Sequence, residues 1–260
     1  MPKRIANVLV QRRRNVRHII PPSRGYLMNT LLIRARSVAR KLGILSQLKA
    51  VHSVFQRGYE EHFDTALLAH IQSGDVVWDI GANLGLYTEK FLEKVGRGGA
   101  VVAFEPVSDC FTVLRSKFAG KPNVTLEPLA LSSSNGMGTM KLAADPLGAT
   151  HQLVDHNAHP GSEASAQVTV VTADSYVARS RTVPNVIKID VEGFEYEVFK
   201  GMKALLTEPK LRGVFCEMHF ALLESRGQML APVEIERLLT HAGFEVKYTD
   251  SSHIQAIRAS

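Results

Sequence analysis

The sequence predicts an α/β domain: a mostly parallel sheet with helices on both faces, an antiparallel pair closing one edge, and a basic helical extension in front. Three observations point that way. Short apolar runs alternate with helix-period segments, the order expected of a parallel sheet. A glycine loop joins the first of these runs to the first helix. The charge also divides the chain. Residues 1–59 hold 13 Lys or Arg and no acid, which leaves 18 basic residues against 25 acidic ones, a net of −7, for the remainder.

Asp75–Ile80 is a short apolar run bounded by glycines, as in a buried parallel strand. A helix follows with Tyr87, Phe91, Leu92 and Val95 on one side, stopped at Gly96. Ala100–Glu105 is a second strand, and Pro106 suits the first turn of the next helix. Val124–Leu131 is a third strand, with shorter ones at 136–142 and 167–171. Residues 143–166 lack periodicity and are rich in Gly, Ser, Asp, His and Pro, a loop or insertion. Val186–Asp190 and Val214–Met218 are further strands, the first followed by a helix over 194–206. Pro232 opens a last helix that Gly243 ends, and 244–248 with 254–257 form the antiparallel pair. The division is an extension over residues 1–57 and one domain over 58–260.

Composition excludes several classes. With 45% hydrophobic and 22% charged residues the chain can bury a core, so it is neither disordered nor fibrous. No apolar run approaches the ~18 residues of a membrane span. Cys110 and Cys216 form no C-x-x-C, and with no secretory leader evident the expectation is a cytoplasmic protein, with peripheral membrane contact open. Within the extension, Leu27, Leu31, Ala35, Val38, Leu42 and Leu45 make a helical stripe, and Arg34, Arg40 and Lys41 lie off it. Such a helix packs on the body or lies on an anionic membrane. Nucleic acid is a weaker third partner.

The densest segment is Val77-Trp-Asp-Ile-Gly-Ala-Asn-Leu-Gly-Leu-Tyr87. An acid, Asp79, ends the strand, and Gly81 and Gly85 carry the turn into a helix. A dinucleotide fingerprint would need a second glycine where Asn83 stands, and Asp79 would repel a pyrophosphate. Glu105 ends the next strand, where an acid accepts ribose hydroxyls. An adenosine with an amino-acid tail and no phosphate fits both acids, which points to S-adenosylmethionine.

Two later strand ends gather ionisable groups. Period two places Lys188, Asp190 and Glu192 on one face, and Glu217 and His219 on another. They fit general-base assistance to an in-line methyl transfer. A divalent metal on the carboxylates and His219 is possible but not favoured. A purely structural ion-pair network, Lys188 with Glu217 for example, is the third option. His151, His156 and His159 are expected in a solvated loop, with acceptor contact as the alternative.

These residues stand in motifs whose order resembles the FkbM-type S-adenosylmethionine-dependent methyltransferases. The motifs are Gly58-Tyr-Glu60, Gly74 to Gly85, Ala103-Phe-Glu-Pro106, Leu129-Ala-Leu-Ser132, Val171-Thr-Ala-Asp-Ser175, Ile187-Lys-Ile-Asp-Val-Glu-Gly193 with Gly201, and Glu217-Met-His219. The resemblance covers about residues 58–250. It implies a Rossmann-like methyltransferase fold and methylation of a hydroxyl on a glycan sugar or secondary metabolite. It also implies that Asp79, Gly81, Asn83 and Gly85, with Ala82 among them, line the methionine end of the cofactor. Glu105 beside Pro106 would hold the ribose, Ala130 would lie by the adenine and Asp190 near the sulfonium. The base among Asp190, Glu192, Glu217 and His219 stays open, as do the acceptor and the oligomeric state. The basic arm lies outside the shared pattern, and Ala173 replaces a usual leucine. Two other functions compete: an RNA-directed methyltransferase using the arm as a clamp, and a non-catalytic cofactor-binding protein. Asp190-Val-Glu-Gly193, standing where adenine N-methyltransferases carry an Asn-Pro-Pro-aromatic loop, argues against the first.

Overall fold

The computed structural model describes residues 62–142, 151–154 and 165–258. The basic extension, the Gly58-Tyr-Glu60 motif, His156 and His159 lie outside them. A helix over 62–70 (α1) precedes the first strand. Then come β1 (Val76–Ile80), α2 (Leu86–Val95), β2 (Ala100–Phe104), α3 (Ser108–Lys117), β3 (Val124–Glu127), β4 (Leu129–Leu131), β5 (Gly136–Lys141) and β6 (Gln152–Val154). After these follow β7 (Ser165–Val171), α4 (Ala173–Ser180), β8 (Val186–Ile189), α5 (Glu195–Lys200), β9 (Gly213–Glu217), α6 (Phe220–Ser225), α7 (Ala231–His241), β10 (Phe244–Tyr248) and β11 (His253–Arg258).

Seven strands form the main sheet in the order β10-β11-β9-β8-β1-β2-β3. The five from β9 to β3 run parallel, and β11 enters antiparallel between β9 and β10. The chain leaves β1 toward β2 and β3, then returns to build outward from β8. That reversal opens a crevice at the carboxyl ends of β1 and β8, where ligands of open α/β sheets bind.

Period-two alternation decides which residues reach which layer. Trp78 and Ile80 face α4, α5 and α7, in a core with Tyr176, Phe199, Ile235 and Leu239. Trp78, Phe104 and Tyr176 meet edge-on, with ring centroids 4.9–5.3 Å apart. Val77 faces α1 and α2, against Phe63, Leu67 and Phe91. Each of these fully buried side chains contributes about 1.5–3 kcal/mol by leaving water. Asp79, two residues on from Val77, therefore points at α2 and away from the larger core.

Four expectations need correction. The third strand is two: β3 stays in the main sheet, and after Pro128 β4 pairs with β7 in a second sheet ordered β4-β7-β5-β6. Proline has no N–H to donate, so the ladder changes partner there. The helix over 194–206 stops at Gly201, and only a 3₁₀ turn, Leu205–Thr207, follows. A Cβ on Gly201 would lie 1.9 Å from the carbonyl oxygen of Ser132, so a regular helix with side chains cannot continue across that contact. Asp174 instead caps the 3₁₀ turn, accepting from the N–H groups of Ala204 and Leu205 at 3.0 and 2.8 Å. Pro106 lies two residues before α3 and outside it. The last correction adds helices α1, α4 and α6. α4 carries a signal in Thr172, whose side chain accepts from the N–H of Ser175 at 3.0 Å.

Gly201→Ala is expected to cost about 1–3 kcal/mol or more, because backbone rather than a side chain must move. Urea unfolding reads the loss directly. A wild-type midpoint would mean that the second sheet is not seated on this contact.

Candidate active site

A cleft of about 720 Å³, its solvent mouth included, opens at the strand ends that the topology singles out. Ile80, Gly81 and Asn83 line it from the end of β1, and Glu105 and Pro106 from the end of β2. Leu129 and Ala130 of β4, Met140 of β5 and Leu153 of β6 form an apolar wall. Asp190, Val191, Glu192 and Phe194 follow β8. The second sheet is thus one side of the cleft. His151, expected in a solvated loop, also lines it.

The β2 side is built around Glu105, which is 5% exposed. Its oxygens accept the backbone N–H groups of Asn83 and Val107 at 2.8 and 2.9 Å. Burial nonetheless pushes its carboxyl up to about 7, against those two bonds. Each oxygen keeps a further lone pair for a ligand hydroxyl. Asn83 takes a left-handed backbone, φ 49°, which turns the loop toward Glu105.

The floor is a buried ion group. Register pairs Asp79 on β1 with Lys188 on β8. Nζ of Lys188 lies 3.5 Å from Asp79 and 3.4 Å from Asp190, and it donates to the Gly81 carbonyl at 3.3 Å. Burial opposes the charge on Lys188, but Asp190 and Asp79 outweigh it and raise its pKa. The Tyr87 ring covers the ammonium at 4.8 Å from its centroid, and Thr88 donates to Asp79 at 2.6 Å. Lys188 and Asp79 therefore sit beneath the cleft. The Lys188–Glu217 pair, given as an example of a purely structural network, is not formed, and Lys188 pairs with Asp79 and Asp190 instead. Ala82 is buried with Leu114 and Phe118, and Gly85 caps α2, so neither lines the cleft. A Cβ on Gly81 would meet the Asp190 carbonyl at 1.9 Å, so the glycine permits close approach of two strand ends as much as room for a ligand.

The β8 side centres on His219, which follows β9. Its Nδ1 lies 2.7 Å from Glu195, a carboxylate that is fully buried and also accepts from the Gly193 N–H at 2.9 Å. Its Nε2 faces Glu192 at 3.3 Å, Glu217 at 3.8 Å and Asp190 at 3.9 Å. Burial works against an imidazolium here, but the Glu195 hydrogen bond and the charges of Glu195, Asp190 and Glu192 outweigh it, raising the pKa to about 9. Glu192 is pushed up to about 7, chiefly by burial and against the pull of His219. β8 ends at Ile189, so Glu192 reaches this group through a turn rather than by strand periodicity, with φ 49° at Glu192 and 90° at Gly193. Ligand atoms of Asp190, Glu192 and His219 lie within 4.8 Å of one another, close enough to hold a cation. Glu195 was not singled out from the sequence, although it stands three residues beyond Glu192.

Two outcomes follow from this geometry. Lys188→Met leaves Asp79 buried without its cation and is expected to cost about 3–5 kcal/mol in chemical unfolding. A change under 1 kcal/mol would mean water reaches Asp79. For His219, a folded pKa above the ordinary 6.5 stabilises the fold fully below pH 6.5, and this is lost as pH rises through about 9. The melting temperature should fall across that window, and the fall should shrink in His219→Gln.

Among the described residues no helix is long and apolar enough to cross a membrane. Comparison with known proteins identifies the family. The family model of the methyltransferase FkbM domain matches residues 79–246, well over half of the chain. The hexuronic acid methyltransferase AglP of Haloferax volcanii is 28% identical over 231 residues, covering 85% of this chain and 87% of that protein. Among solved structures, methyltransferase FkbM from Methylobacillus flagellatus has a TM-score of 0.48 at 14% identity. It is matched over 70% of this chain but 43% of its own, so this chain spans less than half its length. The SAH-bound methyltransferase PaMTH1 of Podospora anserina gives 0.44 at 11% identity, covering 72% of each chain. The chain belongs to the FkbM methyltransferase family, and it is an S-adenosylmethionine-dependent methyltransferase.

Proposed function

We propose that the chain methylates a hydroxyl oxygen of a sugar, with Glu192 as the general base. The observation that carries this is the division of the cleft. One end offers a buried carboxylate beside an apolar wall, and the other offers a carboxylate with pKa about 7 against an imidazolium. The name of the Haloferax volcanii relative supports a sugar, in particular one bearing a hexuronic acid.

The residues present fit S-adenosylmethionine. Glu105 has lone pairs left for a ribose diol after its two backbone bonds. Ala130 and Leu129 offer an apolar surface for an adenine ring. Gly81, Asn83 and Asp190 line the stretch between the two ends, suited to the methionine part. When bound there, the cofactor supplies an electrophilic methyl group on a sulfonium. Asp79, Ala82 and Gly85 serve this site through packing, by holding the loop and Lys188.

The chain's own part is alignment and proton removal. Glu192 accepts the proton of the acceptor hydroxyl, and a pKa near the working pH suits a base. His219, held as imidazolium by Glu195, orients the Glu192 carboxylate and offsets the repulsion of Asp190 and Glu217. A divalent cation held by Asp190, Glu192 and His219 is the second reading, favoured by their spacing. It would acidify the hydroxyl itself. We favour the base because His219 must first lose a firmly held proton to become a ligand.

S-adenosylhomocysteine should bind by calorimetry and lose affinity in Glu105→Ala. Glu192→Gln should bind it as the wild type does, yet lower kcat by about 10²–10⁴. The rate of the wild type should fall off below about pH 7, and EDTA should leave it unchanged. Full activity in Glu192→Gln sinks this assignment, and loss in EDTA selects the cation. Transfer to a hydroxyl gives an ether that survives mild alkali, whereas an ester released by alkali would mark a carboxylate acceptor and remove the need for a base.

A further inference from the structure

A second histidine group lies behind Glu217, on the side away from the cleft. Asp250 stands in the turn before β11, and its side chain is fully buried. It accepts the N–H groups of Ser252 and His253 at 2.8 and 2.9 Å and lies 2.9 Å from Nδ1 of His253. The hydroxyls of Thr249 and Ser252 also donate to this carboxylate, at 3.3 and 3.4 Å, and the carboxylate so fixed holds the ring with Nδ1 as a donor. Nε2 of the same ring then faces Oε2 of Glu217 at 3.5 Å, because register sets His253 opposite Glu217 across β11 and β9. The other oxygen, Oε1, faces Nε2 of His219 at 3.8 Å. Phe63 of α1 covers the His253 ring at 4.2 Å between centroids and is itself 2% exposed.

We infer that Asp250 and His253 are positioning residues of the transfer site, clamping one oxygen of Glu217 so that the other is aimed at His219. This inference rests on the reading of the cleft given above. Glu217 is about one-third exposed and stands on the last residue of β9, where an unsupported carboxylate would turn to solvent. A cation fixed behind it removes that freedom. His253 carries the charge for the purpose: burial opposes it, but Asp250 and Glu217 raise its pKa to about 9. Three cations face Glu217: His253 of β11 at 3.5 Å, His219 of the turn after β9 at 3.8 Å, and Lys188 of β8. From α2 the Tyr87 phenol faces the group, and Phe63 of α1 adds no charge. His219 thereby lies between carboxylates held in different ways: Glu192 by the left-handed turn after β8, and Glu217 by the cation behind it.

The clamp is tested on the full chain saturated with S-adenosylhomocysteine, with histidine ring nitrogens labelled for NMR. In the wild type the His253 ring should titrate well above free histidine, near pH 9. Glu217→Gln should lower its midpoint by about one unit or more, the range for losing a neighbouring charge, and Asp250→Asn should lower it as well. A midpoint unchanged in Glu217→Gln overturns the clamp. Methyl transfer to methyl β-D-glucuronide across pH 6–9.5 separates positioning from general support. His253→Asn should lose about threefold or more at pH 7, and the gap should close only above about pH 9, where the wild type itself loses the His253 charge. An equal loss at every pH also overturns it. Failure of the wild type to methylate this probe counts against the acceptor reading, while the His253 titration still decides the clamp.

Discussion

The site depends on a buried ammonium. Lys188 lies in the middle of the main sheet, at the seam between β1 and β8, with 3% of its surface exposed. A cation there is costly unless paired, and its partners come from both sides of the seam: Asp79 and the Gly81 carbonyl from β1, Asp190 from β8. Those partners hold the two strand ends at one height. They also aim Asp190 upward into the cleft, while Asp79 is consumed below. The acid of the glycine loop thus acts as part of the floor.

Above that floor the cleft keeps unlike electrostatics at its two ends. Glu105 is surrounded by backbone N–H groups and apolar side chains. His219 is surrounded by carboxylates, three at its Nε2 and one at Nδ1. Lys188 answers Asp190 and His253 answers Glu217, which leaves Glu192 and Glu195 to share His219, and burial raises the pKa of Glu192. The acids that crowd the ring hold His219 protonated, while burial is what chiefly lifts Glu192. Acid and base character are therefore set by one cluster rather than by any one residue.

The second sheet supplies what the Rossmann-like core lacks, a wall facing the strand ends. Two small details seat it. Pro128 ends pairing with β2 and lets β4 turn to β7, and Gly201 lets the backbone after α5 touch Ser132 just beyond β4. Neither detail involves a catalytic type of residue, yet both decide where Ala130 and Leu129 stand.

Much of this was legible in the sequence, because parallel strands buried on both faces must be short and apolar. Alternation with helices located β1, β2, β8 and β9, and the hairpin of β10 with β11. The acids at their ends followed from chain position alone, so Asp79, Glu105, Asp190, Glu192, Glu217 and His219 could be named together. What only the tertiary structure decided is which of them meet. Period two is silent about register between strands, and register made Lys188 the partner of Asp79 and His253 the partner of Glu217. It is silent as well beyond a strand's last residue, where Glu192 arrives through a left-handed turn. Contacts between residues 24 to 137 positions apart, such as His219 with Glu195 or Arg212 with Asp75, leave no local signal, since their energy exists only once the sheet has brought them within reach.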